Sequence, residues 1–303
     1  MKINRRTLIG GAVAVPSTAA LAAWVLAESD ERDPSEMTMT TADGKRLVTA
    51  NGLPNHAIGD FPNRHDPAPI RSQKHKLEMP LKPTSVEKPI PLAMWFFGVA
   101  VNGVPFEPSG PFWNSDGNSG WQFEVLHPAN AVALGIDCNR AHTQGRGGLY
   151  HYHGLPTGLL WQLNALHSDS PMHLLGYAAD GFPIYGPECP GDPTDVKSPT
   201  RRLRSSYRMR QGKRKDGPKG RFDGVFVEDF EFVEGHGDLD ECNGRTGPTP
   251  EFPEGTYYYV LTDEFPFIPR LFRGTPDLSF KHGPPPGVSP PLPPELKKYS
   301  GTG

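Results

Sequence analysis

Cysteine is scarce in this chain. Cys138, Cys189 and Cys242 are the only three among 303 residues. They allow one disulfide with one thiol left over, in any of three pairings, and a Cys ligand is the minority reading. Charge is sparse too. Charged residues make up 21% of the chain and the net charge is −3, so no global pull toward nucleic acid or a membrane surface is expected. No segment resembles a nucleic-acid-binding module. Several enzyme signatures are missing: there is no Gly-x-Ser-x-Gly elbow, no phosphate-binding Gly loop followed by Lys-Ser/Thr, and no His-Glu-x-x-His.

What the chain does have is Gly (34) and Pro (35), together approaching a quarter of it. That composition, with many aromatics, favours short strands and structured loops over long helices. Apolar or alternating bursts read as strands: "LAMWFFGVAVNG", "WQFEVL", "GLYHYHG", "LLGYAADG", "GVFVEDFEFV" and "GTYYYVLTD". One helix is expected in "PTGLLWQLNALH", with Leu159, Leu160, Leu163 and Leu166 on one face and Thr157 as its cap. The expected fold is mostly β, an antiparallel sandwich or barrel-like single domain with one short helix and long loops.

The ends read differently. Residues 1–27 carry Arg5-Arg6 before an apolar run from Leu8 to Ala27, the layout of a twin-arginine signal segment. Pro16 and the small residues argue against a stable membrane span, and the expected location is periplasmic or secreted after passage through the twin-arginine machinery. Residues 28–46 read as a flexible lead-in, residues 47–282 as the β domain, and residues 283–303 as an extended Pro-rich tail.

Two stretches suggest degenerate repeats. "GIDCNRAHTQGRGGLYHYHGL" and "DLDECNGRTGPTPEFPEGTYYYVLT" each run from an acidic residue through Cys-Asn to an aromatic strand. "DGFPIYGP" finds a further echo in "DEFPFIPR".

The chemistry centres on Tyr150-His151-Tyr152-His153. Side chains alternate across a strand, so His151 and His153 face one way while Tyr150 and Tyr152 face a core. Two imidazoles on one face can share a transition metal, copper preferred slightly over zinc. A buried hydrogen-bonded His pair is the plainer alternative. His127, His142, His167, His173, Asp137 and Asp180 lie nearby in sequence. His142 is the favoured third ligand, and Asp137 or Asp180 is expected to ligate or to orient a ligand. A second candidate is the carboxylate loop Asp238, Asp240 and Glu241, whose hard oxygens suit calcium. A third is the basic strip Arg201–Arg221, which could meet an anionic polymer, although such runs are more often solvated.

The segments "VTANGLPNHAIGDFPN", "FGVAVNGVPFEP", "GLYHYHGLPTGLL", "LLGYAADGFPIYGP" and "GDLDECNGRTGPTPEFPEGTYYYVLTDEFPFIPRLFRG" occur in the order seen in the YHYH-domain family of exported proteins, which this chain resembles. The resemblance carries the motif onto Tyr150, His151, Tyr152 and His153, and implies no settled reaction. In many relatives the Asn-Gly-Arg loop leads into a Tyr-His-Tyr-His strand. Here Asn243-Gly244-Arg245 leads into Tyr257-Tyr258-Tyr259, without histidines. The expected function is transition-metal binding through the His strand. The alternatives are a metal-dependent hydrolase or oxidoreductase of the cell envelope, and a non-catalytic surface-binding module.

Overall fold

The computed structural model describes residues 33–93, 95–113, 120–145, 147–167, 172–282 and 292–297. The signal segment expected over residues 1–27 lies outside them. In chain order the strands are β1 (Met37–Ala42), β2 (Lys45–Ala50), β3 (His75–Pro80), β4 (Ser85–Pro91), β5 (Gly98–Ala100) and β6 (Pro105–Phe106). Next come β7 (Ala141–Gln144), β8 (Leu149–Tyr152), β9 (Leu174–Ala178), β10 (Pro183–Tyr185), β11 (Glu188–Pro190) and β12 (Thr200–Arg202). The last five are β13 (Tyr207–Met209), β14 (Phe230–Phe232), β15 (Gly244–Gly247), β16 (Thr256–Val260) and β17 (Leu271–Gly274).

Eight strands form one open sheet in the order β15-β16-β10-β9-β5-β6-β8-β7, and β1-β2-β3 form a separate sheet. Val48, Leu77 and Met79 of the small sheet share a core with Val99, Phe106, Tyr152 and Tyr259 of the large one, which gives a sandwich-like arrangement. The fold is thus mostly β, as the composition implies, and the large sheet does not close into a barrel. No helix among the described residues is long and apolar enough to cross a membrane.

The sheet has an internal twofold pattern. At its centre β5 pairs antiparallel with β9. Outward from β5 come β6 antiparallel, β8 parallel to β6, and β7 antiparallel to β8. Outward from β9 come β10, β16 and β15 in the same three senses. The centre requires glycine on both sides. A Cβ on Gly98 would lie 2.4 Å from the Tyr177 carbonyl oxygen, and one on Gly176 would lie 2.2 Å from that of Val99. Neither backbone has room to move, so a side chain at either position would part the strands.

The repeat is therefore real, with a different alignment from the expected one. Asn102-Gly103-Val104-Pro105-Phe106-Glu107, not "DEFPFIPR", is the counterpart of Asp180-Gly181-Phe182-Pro183-Ile184-Tyr185: Phe106 pairs with Tyr152 as Ile184 pairs with Tyr259. Gly103 and Gly181 take matching positive φ values of 83° and 91°.

Other expectations change at the edges. Met37–Ala42 and Lys45–Ala50 pair as a hairpin, so residues 37–42 and 45–46 of the expected lead-in are strand. In the tail, Pro294–Lys297 is a helical turn that buries Leu296 with Trp121, Phe123 and Phe226. The helix Thr157–Leu166 forms, but its first turn is satisfied from elsewhere: Gly158 N–H donates to Asn139 Oδ1, while the Thr157 hydroxyl turns to the Cys138 carbonyl. All three cysteines are free thiols, Cys189 and Cys242 buried and Cys138 exposed. The disulfide that the three cysteines allow is not formed.

Candidate metal centre

The hairpin β7–β8 brings the histidines together. Its register places His142 directly opposite His151, with Ala141 opposite Tyr152 and Thr143 opposite Tyr150. His153 follows two residues after His151 and points to the same face. The three rings form a compact triangle, with centroids 4.9 Å, 5.0 Å and 4.6 Å apart. One nitrogen from each lies within 4.8 Å of the other two. Nitrogens bound to one tetrahedral ion at about 2.0–2.1 Å sit roughly 3.3 Å apart, so a small inward rotation would close the set.

The proton positions follow from the partners. His142 Nδ1 lies 2.8 Å from the Leu134 carbonyl oxygen, and His151 Nδ1 lies 3.2 Å from that of Leu149. A carbonyl only accepts, so each Nδ1 bears the proton and each Nε2 keeps its lone pair. Metal-binding imidazoles are oriented in this way. Asp66 Oδ2 stands 3.6 Å from His142 Nδ1 and is itself fixed by the Thr143 amide and hydroxyl. His153 differs. The Pro108 carbonyl lies near it, yet neither ring nitrogen makes a hydrogen bond of acceptable geometry.

Burial keeps the rings neutral. Desolvation, reinforced by the neighbouring imidazoles, holds His151 and His153 well below the usual imidazole pKa. Desolvation also lowers His142, with Asp66 opposing it. Neutral imidazole is the form that binds metal.

One group that the sequence did not reveal stands beside the trio. Glu107, just past β6, is 1% exposed, and burial pushes its pKa up to about 8. Its Oε2 has no hydrogen-bond partner and lies 3.8 Å from His151 Nε2 and 3.9 Å from His282 Nε2. His282 stacks on Phe96 and reaches Gln144 Oε1 at 3.0 Å. A proton-bearing Nε2 suits that acceptor.

The tyrosines behave as the alternation predicts. Tyr150 and Tyr152 are fully buried on the opposite face. The Tyr150 hydroxyl donates to Asp137 Oδ2 at 2.8 Å, and Tyr152 Oη is 2.6 Å from His56 Nε2 and 2.9 Å from Asn102 Nδ2.

The expected carboxylates lie elsewhere. Asp137 accepts from Tyr150 and from the Gly59, Asn139 and Ala141 amides, which places it on the tyrosine side. Asp180 sits at the β9–β10 turn, where it accepts from the Tyr259 hydroxyl and the Gly274 amide. Neither joins the histidine cluster.

The loop Asp238, Asp240 and Glu241 does not gather into a cation site. Asp238 holds Arg201 through two contacts of 2.8 and 2.5 Å, Asp240 accepts from the Cys242 and Gly244 amides and the Tyr257 hydroxyl, and the Glu241 carbonyl takes the Tyr207 hydroxyl. Among the described residues, His142, His151 and His153 are the one set of three or more such side chains close enough to share an ion.

Much of the basic strip is paired. Arg201, Arg202, Arg204, Arg208 and Arg214 all meet carboxylates, and Arg214 contacts both Asp229 and Asp223. An open cavity of 790 Å³ lies against the strip between Trp121, Phe222, Lys213 and Lys215, and none of the three histidines lines it.

A model of the family described as YHYH protein matches residues 76–274, more than half of the chain. The chain belongs to the YHYH protein family. Comparison with curated proteins and with solved structures gives no match. In this YHYH protein the motif after which the family is named divides cleanly: both tyrosines belong to the core, and both histidines belong to the cluster.

Proposed function

We propose that this YHYH protein is exported and binds a transition metal, copper or zinc, through His142, His151 and His153. One observation carries the reading. Three neutral imidazoles converge on one face, two with Nδ1 on a carbonyl and a lone pair left on Nε2, and the third with neither nitrogen bonded. A buried polar group without a partner is unfavourable by about 1–3 kcal/mol, and an ion would remove that penalty. Export rests on Arg5-Arg6 and the apolar run that follows them. That route carries folded proteins, which is compatible with a metal loaded beforehand.

His151 and His153 are only 1% and 2% exposed and the His142 side chain 14%, a largely buried setting that favours a carried or structural ion. The hydrolase or oxidoreductase alternative needs an open coordination position. Elemental analysis of protein purified from its native host tests the proposal. About one equivalent of metal is expected in the natural protein and almost none in His151→Ala/His153→Ala. Equal contents in two folded proteins reject it.

A further inference from the structure

We infer that Glu107 is the fourth ligand, so that the centre is a closed three-histidine, one-carboxylate site for a divalent ion. The inference rests on the metal reading and adds to it. Glu107 comes from a different part of the sheet, held beside the hairpin by the parallel pairing of Phe106 with Tyr152 and by its own amide donating to the Tyr152 carbonyl at 2.9 Å. Its Oε2 faces His151 Nε2 at 3.8 Å with no hydrogen bond to any group. The two atoms face each other in a buried setting across a gap too long for a hydrogen bond, and an ion drawn between them would engage both.

Charge balance points the same way. An ion carrying two positive charges, surrounded by neutral imidazoles and largely buried, is strongly unfavourable without a counter-charge. Arg270, the cation near His153, is already paired with Glu124 at 2.6 Å. Asp66 is engaged by Thr143 and Ala68. Glu107, beside His151 at one side of the trio, is a buried carboxylate with an oxygen to spare. A hard oxygen beside three imidazoles, with no thiolate, selects a divalent ion such as zinc over monovalent copper. It also fills the position that a hydrolytic water would need, which makes the ion a carried or structural one.

Cobalt(II) replaces zinc and reports its coordination by colour. The natural protein should give the intense visible absorption of a four-coordinate site, unchanged by added azide. Glu107→Gln should weaken cobalt affinity by at least about 10-fold and shift the spectrum. An azide-induced shift in the natural protein overturns the closed site without any variant. An unchanged affinity and spectrum in Glu107→Gln overturns Glu107 as ligand. Both results leave the histidine reading standing. Failure of the natural protein to take up cobalt or zinc removes the metal reading and this inference together.

Discussion

At one edge of the eight-stranded sheet Asp137 Oδ1 accepts from the amide of Ala141, and Asp137 Oδ2 from the Tyr150 hydroxyl. At the other edge Asp240 accepts from the amide of Gly244 and from the Tyr257 hydroxyl. Arg140 and Asn243 take φ values of 55° and 53° at the same point of the turn, and their carbonyls receive the amides of His153 and Val260. The latch of one hairpin is thus repeated in the other. The opposite face is not. Where the first hairpin has His142, His151 and His153, the second has Arg245, Tyr258 and Val260, with Arg245 Nε bonded to the Tyr258 hydroxyl at 2.6 Å and Val260 packed in an apolar cluster. The same backbone forms with and without the imidazoles. The tyrosines and the aspartate are common to both hairpins; the histidines are not.

The largest effect that separates the hairpins is metal-linked stability. Zinc at about 1,000 times its dissociation constant should stabilise the natural protein by about 4 kcal/mol. His151→Ala/His153→Ala should gain nothing. Arg245→Ala/Tyr258→Ala, altered at the equivalent positions, should keep the full gain over its own metal-free baseline. Calorimetric melting with and without zinc reads all three, and a gain in the histidine variant breaks the comparison.

A smaller effect concerns Asn102 and Asp180, which bond to equivalent tyrosines, Tyr152 and Tyr259. Burial, opposed by the Tyr259 and backbone hydrogen bonds, raises the Asp180 pKa to about 6. The folded chain holds this proton where the unfolded chain, with a carboxyl near about 3.9, has lost it. The stabilisation is therefore full below about pH 4 and is lost as pH rises through about 6, a change on the order of 3 kcal/mol. Buried neutral histidines act in the opposite sense. Burial lowers His75 to about 4 and lowers the trio as well, so their contribution is present at neutral pH and fades as pH falls below about 6.5. Asp180→Asn copies the other half and leaves those histidines alone. Its stability relative to the natural protein, from urea unfolding, should rise between pH 4 and 6, and a flat difference would show that Asp180 is charged throughout.

Much of this was legible in the sequence where physics is local. Alternation along residues 150–153 gave the two faces, and the helix after Pro156 followed from its leucines. The likeness of the two hairpins was legible as well, although Cys-Asn misleads by one residue. The structure sets Asp137 against Asp240, which leaves Cys138 opposite Glu241. The counterpart of Asp180–Tyr185 was missed because Asn102–Glu107 shares few identical residues with it; backbone pairing, not side-chain identity, maintains the match. Glu107 was invisible for a related reason. It reaches the histidines through a parallel pairing between strands far apart in the chain, and spacing carries no trace of that. Asp137 and Asp180 show the converse. They are near the histidines in sequence, but the turns that hold them aim their carboxylates at tyrosines.

The smallest effect puts His153 against Val260. In the second half this position is filled by an apolar side chain within a packed cluster. In the first half it holds an imidazole, 2% exposed, with both nitrogens unbonded. Without metal, that ring should be a defect. His153→Val removes two unpartnered polar atoms, worth about 1–3 kcal/mol, and leaves a slightly smaller side chain whose packing loss offsets part of the gain. In chelator the variant should be more stable than the natural protein by about 1 kcal/mol, read from the urea midpoint at constant slope. With zinc the order should reverse, because the variant lacks a ligand. A variant less stable even in chelator would mean that His153 is bonded and structural, and the divergence of the two hairpins would then need no ion to account for it.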